Sequence, residues 1–568
     1  MRKFLTLSLL TFITFVAKAQ IIMTIGDKKY DVSEIDSMVF KYVDQPSANT
    51  LMSATGEYSI FLEAMQRTGF SNMVLNYENE KEYFLNDPTY TDGSVLYYPT
   101  YRDEGWTVFA EKDVVLKETG INNFGDLAVK CAEWYASPSW YDYVKEKDIT
   151  ISTGTDYENE WNVVHMFVAY HILKHKLPVN KLVYERLVEN ENWNVCFGYE
   201  PQSYYETMLP GTLLKVWATD VNNSHLNPNL WVNRYVKNNT LTDQYGTFGS
   251  DAMHPVIYSG AQVDRASSLE TPNCFVHSIN NVLLYDQNTR DSQHERMRFS
   301  QNMLLPELAN NGIYGSLETE ISAKNNGGEG KRVAFTQDYF DNLHCNNKDT
   351  KLTYNVLSAW RAYESSQFQA WAFDMFDFSI RLPHIPTGKY ELRIIYPPMA
   401  RNGEIEYFIG TDSYAMETMT KLSTLDATEN PCEEGNSMGC EQIGEPDYGV
   451  LSDKTMRQNG FMRAPASFSR GTNNMITQKL EYDPNDIYSA AKQIVGYTSC
   501  RSEWGYGLTM LRFIVGTVDI KQGKEYWLRI KGTVKDSNIG NQVLGAFNFV
   551  ELVPTDVANN ETYMEDWY

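Results

Sequence analysis

At 568 residues the chain is too long for one ordinary hydrophobic core and calls for two to four domains. It is 42% hydrophobic and 21% charged, a globular balance that excludes a disordered or fibrous chain. A formal charge of −24 argues against nucleic acid or anionic lipid as partner and favours neutral ligands, cationic ligands or bound cations.

The chain opens MRKFLTLSLLTFITFVAKAQ. A short basic start (Arg2, Lys3), an apolar run from Phe4 to Val16 and an Ala17-Lys18-Ala19 cleavage pattern predict a secretory signal over residues 1–19. The run is too short for a membrane span, and no later apolar run reaches the length that a transmembrane helix needs. The expected location is outside the cytoplasm: periplasm, outer-membrane-associated, or cell surface and secreted. Residues 20–48 follow as a short β segment, because IIMTIGDKKYD alternates around Gly26-Asp27 as a hairpin does.

Residues 51–286 read as a mixed α/β region. YSIFLEAMQRTGF carries Ile60, Ala64 and Met65 at helical spacing. WTVFA (Trp106 to Ala110) is strand-like and runs into a helix that stops at Gly120. FGDLAVKCAEWY is another helix, and NCFVHSINNVLLYD is β-rich.

Between the last two lies NVVHMFVAYHILKHKLPV, with three of the chain's nine histidines. On one regular helix Val164, Phe167, Val168, His171 and His175 share an arc of about 100°, with His165 about 120° away from His171. The three therefore cannot chelate one ion. His171 and His175 stand i,i+4 but lack the Glu of H-E-x-x-H and an obvious third ligand. The expectation is no metal and no cofactor: His171 as a hydrogen-bonded core residue, His175 at the helix end facing solvent.

From residue 291 to 555 the pattern turns to β. FDFSIRL and KYELRIIYP each alternate apolar and polar and flank PHIPTG, which predicts a hairpin with one wet face. LRFIVGTVDI, KEYWLRIKGTV and GAFNFVELVP repeat the theme and argue for an antiparallel sandwich. The polar stretch 416–497 reads as an insertion, and 556–568 as an acidic, frayed tail. The overall expectation is an α+β chain. Seven cysteines leave at least one unpaired, and Cys432 and Cys440, flanking one short loop, are the pair best placed for a disulfide.

Catalytic patterns are weak. NNGGEGKR lacks the upstream glycine of a phosphate loop, no G-x-S-x-G occurs, and EYDPNDIY is not an EF-hand. Asp374 and Asp377, three apart on a strand, point to opposite faces. The best binding candidate is EWYASPSWYDY: Trp134, Tyr135, Trp140, Tyr141 and Tyr143 surround a Ser-Pro-Ser turn and either present flat faces to sugar rings or pack beneath the loop.

Three of these stretches, in order, resemble the motifs of the fasciclin domain family: TVFAEKDVVL (Thr107, Val108, Phe109, Ala110), FVAYHIL (Tyr170, His171) and NCFVHSINNVLL (Asn280, Val282, Leu283). Glu111, Cys274 and Asn280 depart from that family's usual Pro, Gly and Asp. The resemblance implies a compact α/β domain over 51–286, lengthened by loop insertions, with roles in adhesion and extracellular binding rather than catalysis. The β region resembles galactose-binding-like sandwiches of jelly-roll type, a likeness of fold alone. Together they imply a non-enzymatic envelope protein that recognises a glycan or an extracellular protein partner. The competing classes are a glycan-active hydrolase with an accessory sandwich and a purely structural envelope component.

Overall fold

The computed structural model describes residues 22–25, 28–31, 46–75, 80–82, 96–97, 99, 101–183, 202–219, 229–236, 256–258, 260–314, 331–348, 350, 352–356, 368–373, 376–396, 404–426, 457–463, 511–533, 543–547 and 549–558. The cleavage pattern, Cys432, Cys440 and Asp374 lie outside them. Within residues 1–46, a unit of its own, Ile22–Ile25 pairs antiparallel with Lys28–Asp31, the expected hairpin.

Ser47–Tyr568 forms a second unit of α+β character, with helices beside several antiparallel sheets. Its first region is built around Trp106–Glu111, buried along its whole length. This strand pairs in parallel with Cys274–Ile279, with Val108 opposite Val276. Local chemistry accounts for the helices that cover it. Phe124–Tyr135 starts where the Asn123 side chain accepts from the Asp126 amide, and it buries Phe124, Leu127, Cys131 and Tyr135, one stripe at helical spacing. Ser59–Arg67 buries Ile60, Ala64 and Met65 as their spacing predicts.

The histidine-rich helix is shorter than its pattern. It covers Val163–Tyr170, and His171 caps it. Ile172–Leu173 instead join the sheet, opposite Val108 and Thr107, and the Phe109 amide donates to the His171 carbonyl. A strand edge that needs hydrogen bonds outcompetes a further helical turn of β-branched and bulky residues. His175 is consequently not at a wet helix end. It is buried, and Nε2–H donates to the Asn302 carbonyl at 3.0 Å.

The second region contains three five-stranded sheets. One orders Met297–Ser300, Phe549–Pro554, Gly388–Tyr396, Leu511–Ile520 and Phe461–Arg463; another orders Leu343–Cys345, Asp377–Leu382, Tyr526–Thr533, Glu404–Thr411 and Thr420–Asp426. Tyr407 of the latter meets Phe513 of the former at 5.8 Å between ring centres. The expected hairpin is therefore a correction: Asp377–Leu382 and Gly388–Tyr396 lie in different sheets, and the proline-rich PHIPTG carries the chain between them. Both apolar faces are satisfied by closing on each other, which pairing within one sheet would not do. The polar face of Gly388–Tyr396 is wet only at its start, where Lys389 is exposed. Arg393 is fully buried and lies 3.5 Å from Glu551, itself fully buried and bonded to Arg298 at 2.6 Å. Beyond Pro554 the chain forms one more helical turn, Thr555–Ala558, with Asp556 2.8 Å from His294.

The two regions share strands and polar contacts. Leu96–Tyr97, from within the first, pairs in parallel with Arg332–Val333 of the second. Tyr143 N–H donates to Gln522 Oε1, and Gln522 Nε2–H donates to Tyr285.

Candidate binding surface

The residues of the three ordered motifs pack together in the core. Thr107, Val108, Phe109, Ala110, Tyr170 and His171 are buried, as are Val282 and Leu283. His171 Nδ1–H donates to the Phe167 carbonyl at 2.7 Å, and Nε2 faces Glu111 Oε1 at 2.9 Å. The same carboxylate oxygen accepts from the Leu283 amide at 2.9 Å. One buried contact set thus ties the strand, the helix end and the segment after Cys274–Ile279. Asn280 is exposed, and its Oδ1 accepts from the Gln262 amide at 2.7 Å. Glu111 and Asn280, both departures from the resembled pattern, each carry a hydrogen bond of this fold.

The five aromatics of EWYASPSWYDY do not form one display. Tyr135 and Tyr141 are fully buried. Trp134 stacks on Phe167, while Trp140 and Tyr141 both meet Tyr285 edge-on at 5.4 and 5.2 Å. Burial pushes the Tyr141 phenol well above its ordinary pKa, with the neighbouring tyrosines adding to it. Tyr135 and Tyr141 are thus core residues, Trp134 and Trp140 are half-buried against the core, and Tyr143, also half-buried, turns toward the second region. Its ring stacks on Trp161 at 5.9 Å and meets His384 edge-on at 5.7 Å. Gly211, at φ +77°, lets it do so, since a Cβ there would stand 2.3 Å from Tyr143 Cδ2.

His384 leads to an ion cluster across the junction. Glu206 ends the strand Gln202–Glu206. Its Oε1 accepts from the His384 amide at 2.9 Å and lies 3.0 Å from His384 Nδ1. Arg381 clamps both oxygens, Nη1 to Oε1 at 3.1 Å and Nη2 to Oε2 more closely. Burial alone would raise the Glu206 carboxyl, but Arg381 and His384 hold it well below the usual carboxylate range.

Arg381 stands opposite Trp527 in the sheet. Trp527 Nε1–H donates to Glu525 at 2.5 Å, and its ring meets Tyr414 edge-on at 5.0 Å. Tyr414 in turn packs on His344 at 4.2 Å. Tyr414 is 43% exposed and its loop neighbour Met416 47%. Asp412, at φ 55°, turns the chain into this loop; its carboxylate accepts from Glu525 N–H at 3.0 Å and Lys524 at 2.5 Å. This loop was not singled out in the sequence; it begins before the polar stretch 416–497 and runs into it. A Tyr and a Met inside the otherwise polar TDSYAMET was the available signal.

The surface therefore runs from Trp161 and Tyr143 through His384, Glu206 and Arg381 to Trp527, Tyr414 and His344. Tyr414 and His344 are exposed, Trp161, Tyr143 and His384 are partly so, and Trp527 lies buried beneath Tyr414. These rings alternate with fixed hydrogen-bonding groups, an arrangement that takes apolar C–H faces and hydroxyls together. Among the described residues no group of three or more His, Cys, Asp or Glu is placed to hold a metal ion, and no helix is long and apolar enough to cross a membrane. No protein-family model matches the chain, and neither does any curated protein sequence.

Proposed function

We propose that this chain is a non-enzymatic glycan-binding protein of the cell envelope, acting in adhesion or capture outside the cytoplasm. The observation that carries the reading is the pair of aromatic groups, Trp161–Tyr143 and His344–Tyr414–Trp527, on either side of the Glu206–Arg381–His384 cluster. Export is supported by the basic start, apolar run and cleavage pattern of residues 1–19. A fasciclin-like first region is supported by the packing of the three motifs on one another, and a galactose-binding-like, jelly-roll-type second region by its facing antiparallel sheets.

The test is a glycan array probed with the chain from Gln20 onward, followed by mass analysis of the bound sugars. Retention without cleavage, weakened by Tyr414→Ala or Trp161→Ala, is the expected result. Cleaved products would move the protein to the hydrolase class. Silence across the array would end the glycan reading in favour of a protein partner.

A further inference from the structure

The charges around Tyr143 specify the ligand more closely, on the premise that this surface binds glycans. Glu160 and Glu525 both bear on the Tyr143 phenol, which burial, Glu160 and Glu525 together push up in pKa. They come from opposite regions of the molecule, one beside Trp161 and one beside Trp527. Each accepts a hydrogen bond from the indole N–H of its tryptophan, at 2.7 and 2.5 Å. Neither has an ion-pair partner among the described residues, whereas Glu206 is neutralised by Arg381 and Asp412 by Lys524.

A second observation is a cation already held beside the ring by the short helix that carries Tyr143. The exposed Lys147 lays its ammonium over the Tyr143 ring, 5.8 Å from the ring centre. The ring's negative face and the two carboxylates favour a cation at that point. Lys147 sits at the end of the short helix Asp142–Glu146 on a flexible stem and can swing into water when another cation arrives.

We infer that the Tyr143 platform, between Glu160 and Glu525, receives a protonated amine, so that the glycan bound here carries a free amino group. An N-acetylated sugar offers the same ring but no charge, and a uronate offers the wrong sign.

The experiment compares three oligomers of equal length on the full exported chain: β-1,4-glucosamine, its fully N-acetylated counterpart, and a hexuronate. Binding is read from Trp fluorescence and by calorimetry at low and physiological salt. The free amine should bind about tenfold more tightly than the acetylated oligomer, with the gap narrowing as salt rises. The double variant E160Q/E525Q should close the gap by weakening the glucosamine oligomer about tenfold, and a gap that persists in it overturns the inference. Lys147→Met, at an exposed position, should widen it. Equal or tighter binding of the acetylated or hexuronate oligomer overturns the inference but leaves the glycan reading standing. No binding of the glucosamine oligomer also overturns it, and the array then decides whether the broader reading falls too.

Discussion

The run Trp134 to Tyr141 and the trio His344, Tyr414 and Trp527 are both aromatic-rich, yet they differ in exposure: Tyr135 and Tyr141 are fully buried, whereas Tyr414 and His344 stand exposed over a buried Trp527. The first is dense in sequence and folds inward, because the helix Phe124–Tyr135 and the Ser-Pro-Ser turn direct its rings onto Phe167 and Tyr285. The second is scattered over 184 positions and meets only when three strands align. Its loop, turned by Asp412, leaves Tyr414 in contact with water. Local aromatic density reports packing. A binding face is assembled from distant residues that the sheet register brings side by side.

Four experiments bear on that contrast. The largest effect belongs to the inward cluster: Tyr141→Ala should cost about 3–5 kcal/mol of stability, read from denaturant melts, because it opens a cavity beneath Tyr285. A cost below about 1 kcal/mol would mean that the cluster is not the packed core described here.

Acid should next separate the regions. Burial lowers His175 and His277 to about 4, so both are neutral in the fold. The unfolded chain binds protons that the fold refuses between about pH 6.5 and 4, so stability is full above that window and lost as pH falls through it. The loss is on the order of 3 kcal/mol for each histidine. Melts at pH 7 and 4.5 should differ accordingly, and His277→Gln should flatten the difference.

Gly211→Ala sharpens the comparison at its hinge. The added Cβ would meet the Tyr143 ring, and φ +77° disfavours any side chain. A loss of about 2 kcal/mol is expected, together with loss of ligand retention as Tyr143 leaves Trp161. The smallest effect on stability belongs to Tyr414→Ala, within about 0.5 kcal/mol, since the side chain is nearly half exposed. Its effect on binding should be about tenfold, so the two readouts part. Unchanged glycan binding in this variant would remove the trio from the surface.

Much of the fold was legible from local pattern. The hairpin at Ile22–Asp31, the helices Ser59–Arg67 and Phe124–Tyr135, and the strand Trp106–Glu111 all have the extent or position that their periodicity predicts. His171 is the buried, hydrogen-bonded core residue expected of a histidine in an apolar stripe. Its partner Glu111, 60 positions away, was not, because no local rule couples a strand residue to a helix cap.

Only the tertiary structure decided the rest, and the reasons are physical. Periodicity says which face of an element is apolar but not what covers it. FDFSIRL and KYELRIIYP therefore looked like partners, whereas burial of both faces places them in opposing sheets. A helical pattern does not state its end, so the demand of an open strand edge for hydrogen bonds converted Ile172–Leu173 from helix to strand and turned His175 inward. The proposed binding surface depends on contacts between residues as far apart as Tyr143 and His384, and no spacing in the sequence encodes them. The chain itself determined its elements, its acidic character and its aromatic supply; the pairing of sheets determined which of those aromatics meet water.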